Sequence, residues 1–520
     1  MMNNKRLLVN IIWHMHQPFY WNEDRGHFVF PWVRTHLVKD YLFMPRLLSK
    51  FPGVKVTFNF SPVLLEQIGM YAEGKKDQVL ELMEFEAQRL DESVKEAILK
   101  TFFLVASERV AQDLPRFVEL RNKAKEGIDF SEQDFLDLQV LYQLLWFDPF
   151  IRKEYPQLSI LYEKGRNYTE EDKRVILRVT EEYARKFALP YFELLDRNQI
   201  EVSVSPFYHP ILPLLYNSNL ALETTPQIGL PAVSFAYPED AFAQVQMAVN
   251  FCRLFWQREP SGMWPSEGAV SEKIIPIFSQ NGIRWVATGE EVLFFSLNEE
   301  CRRDEAGVPI TPEKLYTPYL VGEKGQEVAI FFRDRLLSDL IGFEYHKMPY
   351  QQAVEDLISR LLRIKDALPG DREYVVSIIL DGENAWEFYE QNGLPFLSLL
   401  YERLSSEEGL ATVTPREYLS CQTSLPRLKK LVAGSWIYGK LTTWIGHPEK
   451  NRAWEELAEV RSLFASKKAC ARDKEKALRF IYRAEGSDWF WWLGEDNPSP
   501  QKADFLNQFH YLLNKAKELL

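Results

Sequence analysis

The chain of 520 residues is 46% hydrophobic and 26% charged, with a formal net charge of −12. That length and apolar content suffice for one large core plus a smaller partner domain, and they exclude disorder over most of the chain. The acidic balance is spread over mixed segments with no basic patch, which argues against nucleic acid as a ligand.

Taken from the N-terminus, the apolar run Leu7 to Trp13 is interrupted by His14 and His16 and has no small-residue cleavage site after it. It reads as a buried first strand rather than a leader. No apolar run approaches the ~20 residues of a membrane helix. Cys252, Cys301, Cys421 and Cys470 lie far apart without CxxC or metal-type spacing. That usage fits a reducing compartment, so a cytoplasmic location is expected.

Seven segments are expected to be buried strands ending in polar residues: Leu7–His16, Val54–Ser61, Glu201–Ser205, Gly262–Glu267, Ile283–Thr288, Val328–Arg333 and Tyr374–Asp381. Between them lie amphipathic stretches of helical length, among them Ala241–Arg258, Glu272–Gln280 and Gln351–Ala367. Alternating strand and helix implies an α/β fold with a parallel sheet covered by helices, and in barrels of this kind the chemistry sits at the C-terminal strand ends. Two regions depart from the alternation. Residues from about 66 to about 197 have helical periodicity and few strand signals, the pattern of a helical insertion. After an extra strand at Ala411–Thr414 the chain again reads as helical, including Arg452–Phe464 and Pro500–Leu519. This divides it into a catalytic unit, 1–420, and a helical domain, 421–520, packed at the barrel mouth.

Five motifs offer chemistry. In Trp13-His14-Met15-His16-Gln17-Pro18, strand alternation puts both histidines on one face just before a proline ends the strand. The pair suits hydrogen bonding to sugar hydroxyls. A zinc site would need a third or fourth ligand, and no further His-rich motif supplies one. In Ser261-Gly262-Met263-Trp264-Pro265-Ser266-Glu267-Gly268 a short strand delivers a carboxylate between residues that allow close backbone approach. Read alone, that Glu also suits a helix cap. In Val375 to Glu387, six largely apolar residues deliver Asp381 to a strand end before Gly382-Glu383-Asn384, and further calcium-loop ligands are missing.

The fourth motif spans Ala433 to Gly439 and Thr442 to Trp454, where Trp444 and His447 precede a helix. The fifth is Ala484-Glu485-Gly486-Ser487-Asp488-Trp489-Phe490-Trp491-Trp492. Both mix aromatic faces with polar groups, as sugar sites do, although part of each must be core. Weaker candidates are His209, after the third strand, and Asp334, after the sixth. Two carboxyl groups at the ends of different strands make one chemical proposition together. One protonates a glycosidic oxygen while the other captures the oxocarbenium-like carbon.

At these motifs the sequence resembles glycoside hydrolase family 57, the second α-amylase family. The likeness runs through His14-Met15-His16-Gln17-Pro18, Gly262 to Glu267, Asp381-Gly382-Glu383-Asn384 and Trp444 to Trp454. It implies an incomplete seven-stranded (β/α) barrel with a C-terminal helical domain, retention of anomeric configuration and no required metal or other cofactor. It further implies Glu267 as nucleophile and Asp381 as acid/base, with His14, His16, Trp264, Trp386, Trp444 and His447 against the sugar. His209, Asp334 and Asp488 complete the expected substrate contacts. The segment Gln199 to Val204 follows the family pattern only loosely.

The expected activity is hydrolysis of α-1,4 bonds in starch, glycogen or maltooligosaccharides by double displacement. The rivals are 4-α-glucanotransfer and amylopullulanase action that includes α-1,6 bonds. From another class come a metal-dependent deacetylase or mannosidase and a non-catalytic glucan-binding protein, the latter opposed by the presence of both carboxylates. Branching enzymes of the family differ around the first and fourth motifs. Oligomeric state is not legible.

Overall fold

The computed structural model describes residues 6–105 and 107–520. Its core is a parallel barrel of β1 (Leu7–Met15), β2 (Val56–Phe60), β3 (Ile200–Val204), β4 (Gly262–Met263), β5 (Trp285–Gly289), β6 (Val328–Arg333) and β7 (Val375–Asp381). The spatial order is β7-β1-β2-β3-β4-β5-β6. β6 and β7 close the ring through a single register pair, Arg333 opposite Ser377. Tyr319–Val321 adds an antiparallel strand to β6, and Leu410–Thr412 pairs with the start of β1.

Alternation along the strands decides what enters the barrel. Ile12, Ala287, Ala329, Phe331, Val375 and Ile379 meet Trp264 and Trp285 in one inner cluster. Ile11, Trp13, Met15, Phe58 and Phe60 face the surrounding helices. The inward positions turn polar toward the C-terminal strand ends, where Asn59, Ser203, Ser205 and His14 are all buried. The lumen is therefore plugged below and polar above, which confines a ligand to the upper rim.

Several strand and helix ends fall a few residues from expectation, and two elements differ by more than a shifted end. The fourth strand stops at Met263 instead of reaching Glu267. Pro265 cannot donate to a ladder, and the chain beyond it pairs elsewhere, with Val270 bridging Gly434 and Trp436 N donating to Glu267 O at 3.0 Å. The expected helix at Glu272–Gln280 splits into a 3₁₀ turn, Glu272–Ile274, and a short helix, Ile275–Gln280, around Pro276.

Helices fill the interval from Pro62 to Asp196, including Glu170–Arg185, whose start carries a capping box of Thr169 and Asp172. After β7 come Leu394–Ser406, Pro448–Ser466, Ala471–Ala484, Ser487–Trp491 and Lys502–Leu519. This last part is latched to the barrel. Gly486 bridges Pro210, Gln244 donates to Glu485 at 2.8 Å, Arg461 pairs with Asp240 at 2.6 Å, and Arg483 lies 3.9 Å over the Phe19 ring. The latch carries Ser487–Trp491 to the barrel mouth. No helix of the described residues is long and apolar enough to cross a membrane.

Candidate active site

β1 projects His14 and His16 from its inward face at the barrel mouth. His14 Nδ1 donates to Asn59 Oδ1 at 2.6 Å, and His16 Nδ1 lies 2.7 Å from Ser61 Oγ. His209, at φ +60° after β3, stacks on His16 with ring centroids 3.7 Å apart and on His14 at 5.1 Å. Its Nδ1 is 3.0 Å from Ser487 Oγ, while Asp488 meets His16 Nε2 at 3.0 Å. Burial, then the neighbouring His16, pushes His14 down to about 3, and the same causes with His14 added lower His209. Both imidazoles are thus neutral near pH 7, able to hydrogen-bond hydroxyl groups without bringing charge.

Glu267 sits in a left-handed turn, φ +58° and ψ +24°, a conformation that costs energy for a non-glycine residue. Gly268 follows, also at positive φ, and a Cβ there would lie 2.8 Å from the Trp264 ring. Trp436 secures the turn twice, by its backbone N–H and by its indole N–H, which donates to Glu267 Oε2 at 2.8 Å. Asp381 instead ends a fully paired strand, where Asn384 donates to its Oδ2 at 3.1 Å and Gly382 N–H bonds His14 O at 2.7 Å.

Glu267, Asp381, His14, His16, Trp436 and Asp488 line one cavity of about 490 Å³. A second cavity, of about 710 Å³, shares Asp381, Asn384, Trp436 and Trp491 with the first and runs past Arg333, Phe343 and Tyr438. Burial, followed by Asp381, raises Glu267 to about 8, while the Trp436 hydrogen bond pulls the other way. Burial also raises Asp381, opposed first by Asn384 and then by His16 and Arg333. Two carboxyl groups raised together retain a proton near neutrality, and their titrations belong to the pair. One protonated and one ionised carboxyl facing a single cavity is what glycosidic cleavage requires.

A model of glycosyl hydrolase family 57 matches residues 10–430. The chain belongs to this family. Among its curated relatives, an α-amylase of Dictyoglomus thermophilum is 24% identical over 284 residues, 52% of this chain and 34% of that protein. A 4-α-glucanotransferase of Thermococcus litoralis is 24% identical over 339 residues, 57% of this chain and 43% of that one. The chain thus matches less than half the length of each of these relatives. Among solved structures, the α-amylase AmyC of Thermotoga maritima superposes with a TM-score of 0.59 at 15% identity, covering 99% of this chain and 93% of that one. A branching enzyme of Pyrococcus horikoshii gives 0.60 at 16% identity, covering 98% and 88%. Both carry the same barrel architecture.

Of the residues that the sequence points to in this family 57 chain, the fold brings together Glu267, Asp381, His14, His16, His209 and Asp488. His209 stands behind His16 and, like five others, lines neither cavity. Trp264 is buried behind the site, 5.2 Å edge-on to Trp436 and 6.4 Å from His14. Trp386 is sealed under the Asp381 turn, its indole N–H donating to Gly382 O at 2.8 Å. Asp334, fully buried, caps Arg335–Asp339 and accepts from Tyr316 at 2.7 Å while pairing with Arg303. Alternation along β6 gives the cavity to its neighbour Arg333 instead. Trp444 is buried with its ring 6.0 Å from Trp491. His447 caps Pro448–Ser466, accepting from Glu449 N at 3.2 Å, as a polar residue immediately before a helix-starting proline readily does.

Sequence reasoning passed over Trp436 and Asn384, which hydrogen-bond the two carboxyl groups, and Trp32, His36 and Trp146, which reach the first cavity from the helix Trp32–His36 after β1 and from the turn that follows the helix Glu132–Leu144 after β2. Trp436 had a signal in the Gly434-Ser435-Trp436 run, whereas Trp32, His36 and Trp146 have none in their own neighbourhoods. The ligand count set against a metal also changes. His16, His209 and Asp488 each present a ligand atom, and the three lie within 4.8 Å of one another.

Proposed function

We propose that the protein is a retaining glycosidase that cleaves α-1,4-glucosidic bonds of starch, glycogen or maltooligosaccharides. The observation that carries this reading is the pairing of Glu267 and Asp381 at one cavity, with Asp381 alone also facing the next. Glu267 attacks the anomeric carbon while Asp381 protonates the departing oxygen. Asp381 then takes a proton from the incoming hydroxyl as the glycosyl-enzyme ester breaks. The sugar under attack therefore lies in the first cavity against His14, His16 and Asp488. The leaving portion runs along the second, past Phe343 and Tyr438.

Of the two carboxyl groups Glu267 is the strongly raised one, yet attack requires the proton on Asp381. Positive charge developing at the sugar ring and the Trp436 N–H both favour ionised Glu267, so substrate itself draws the pair into the reactive distribution. A second reading, 4-α-glucanotransfer, is favoured by the aromatic second cavity, where Phe343 is 65% and Tyr438 66% exposed. Faces of this kind hold an acceptor sugar in place of water, and one of the curated relatives carries that activity in its name.

Maltotriose, pullulan and glycogen digests, resolved by product length and initial anomer, test both readings. Retained α-anomers are expected, lost by at least about 1,000-fold in Glu267→Gln. With maltotriose as the sole substrate, products longer than it assign transfer. Inverted anomers, or full turnover by that variant, overturn the mechanism.

A further inference from the structure

The first cavity borders two others, on two different sides. Asp381, Asn384, Trp436 and Trp491 line both it and the second cavity, whereas Trp146 and Glu387 line both it and a third, of about 270 Å³, and no residue lines all three. We propose that the end at Glu387 holds a further glucosyl unit, bound through His36 and Glu387, so that the enzyme takes a glycone of at least two units and releases or transfers maltosyl or longer groups rather than single glucosyl groups. This deepens the glycosidase reading above and rests on it.

The direction follows from the catalytic pair. With the leaving portion running past Asp381 into the second cavity, the rest of the chain continues from the attacked sugar on the other bordered side, that of Trp146 and Glu387. A cavity of about 490 Å³ falls in the range that encloses ligands larger than one sugar ring. This end offers the mixture that sugar sites combine, with Trp32 and Trp146 as aromatic walls and His36 and Glu387 as polar partners.

Neither polar group is a loose surface side chain. Asp40, fully buried, accepts from His36 Nδ1 at 2.8 Å and from Lys39 Nζ at 3.1 Å. A carboxylate only accepts, so a ring proton stands on Nδ1 and Nε2 is the ring atom left for a hydroxyl. Lys39 Nζ also stands 3.7 Å from Glu387 Oε2, with the lysine side chain only 4% exposed. Burial disfavours this ammonium, but Asp40 and then Glu387 outweigh it and hold Lys39 above its ordinary value. One buried cation thus orients both the carboxylate that faces the sugar and the carboxylate that holds the histidine. A carboxylate fixed beforehand bonds hydroxyl groups with little further ordering.

The clamp is assembled from two unusual backbone segments. Leu37–Tyr41 is a π-helical turn, a form that concentrates at functional sites. Gln391, Asn392 and Gly393 stand consecutively at φ +47°, +55° and +77°, and Asn392 Nδ2 donates to Lys39 O at 2.8 Å. Left-handed backbone at two successive non-glycine residues costs energy. Here it delivers the bond that ties the loop after Glu387 to the Lys39 turn.

α-Maltosyl fluoride and α-glucosyl fluoride present the same leaving group with and without the second unit. The parent should show kcat/KM at least about 50-fold higher for maltosyl fluoride, because bonds to charged groups remote from the reacting carbon also stabilise the transition state. In His36→Ala and in Glu387→Ala that ratio should fall at least about 10-fold, with circular dichroism confirming the fold of each. Maltotriose isotopically labelled in its reducing-end unit should release the label as glucose in the first turnovers. Equal turnover of the two fluorides, or label in maltose, overturns the two-unit glycone. An unchanged ratio in both variants overturns its assignment to His36 and Glu387. Calorimetry with maltose, bound at least about 10-fold more weakly by both variants, separates the two readings. A parent that turns over neither fluoride but shows this binding difference refutes the glycosidase and leaves the glucosyl site standing; one that shows neither refutes both.

Discussion

Glu267 and Asp381 reach the same cavity by opposite structural means. Asp381 ends β7, whose register with β1 runs unbroken from Val375 opposite Leu8 to Asp381 opposite His14. Glu267 follows a two-residue strand and stands in a left-handed turn whose support comes from Trp436, 169 positions away. A carboxyl on a continuous ladder is placed by its own neighbourhood. One on a strained turn is placed by whatever holds the turn. Asp381 should therefore tolerate change around it better than Glu267 does.

The largest effect separates the two chemically. Glu267→Ala and Asp381→Ala should each lose at least about 1,000-fold in turnover on maltooligosaccharides, but azide should restore them differently when an activated glycosyl fluoride is the donor. With the nucleophile gone, azide enters from the vacated face and gives the inverted β-azide. With the acid/base gone, it intercepts the glycosyl-enzyme and gives the α-azide. Nuclear magnetic resonance of the products distinguishes these, and exchanged outcomes would reverse the two roles.

Next in size is Trp436→Phe, which keeps an aromatic ring and removes the N–H from Glu267 Oε2. Because that bond lowers the Glu267 pKa, its loss should move the acid limb of kcat/KM upward and reduce the plateau by about 10- to 100-fold. Asn384→Ala, the corresponding change beside Asp381, should move the profile less.

Stability should show the same asymmetry. Glu267 is raised from 4.5 to about 8 in the folded chain, so the native state holds a proton that the unfolded state releases over that interval. Stability from this group is complete below about pH 4.5 and declines as pH rises through about 8. Glu267→Gln removes the decline, so its advantage over the parent in urea midpoint should grow between pH 5 and pH 8.5, by up to roughly a few kcal/mol at the upper end. A constant difference across that range would contradict the burial cost assigned to this carboxylate.

The smallest effect lies farthest from the pair. Phe343→Ala and Tyr438→Ala should lower the ratio of transfer to hydrolysis by about 3- to 10-fold, consistent with loss of one aromatic face each, while fluoride release from a glycosyl fluoride in dilute acceptor stays near the parent value. An unchanged ratio would remove the second cavity from the acceptor path.

Much of this arrangement is legible in the amino-acid sequence. Period-two alternation in β1 sets His14 and His16 on one side, and the apolar run before Asp381 marks a strand end, because backbone geometry leaves a strand no other choice of faces. The helical character of Arg452–Phe464 and Pro500–Leu519 follows from amphipathic period alone. What local pattern could not supply is which aromatic or polar residue would be turned toward the ligand. Trp386, Trp444 and Trp436 look alike in sequence, yet two are sealed in the core and the third donates its N–H to Glu267. His447 reads as a sugar contact and serves as a helix cap, while His209 stands after a strand that matched its pattern loosely and lies stacked in the histidine cluster. Residue type and periodicity depend on neighbours a few positions away, so sequence alone determined the strand faces and the two carboxylates. The support of Glu267 by Trp436, the meeting of His209 with Asp488, and the joining of two cavities at Asp381 were decided only by packing between segments far apart in the chain.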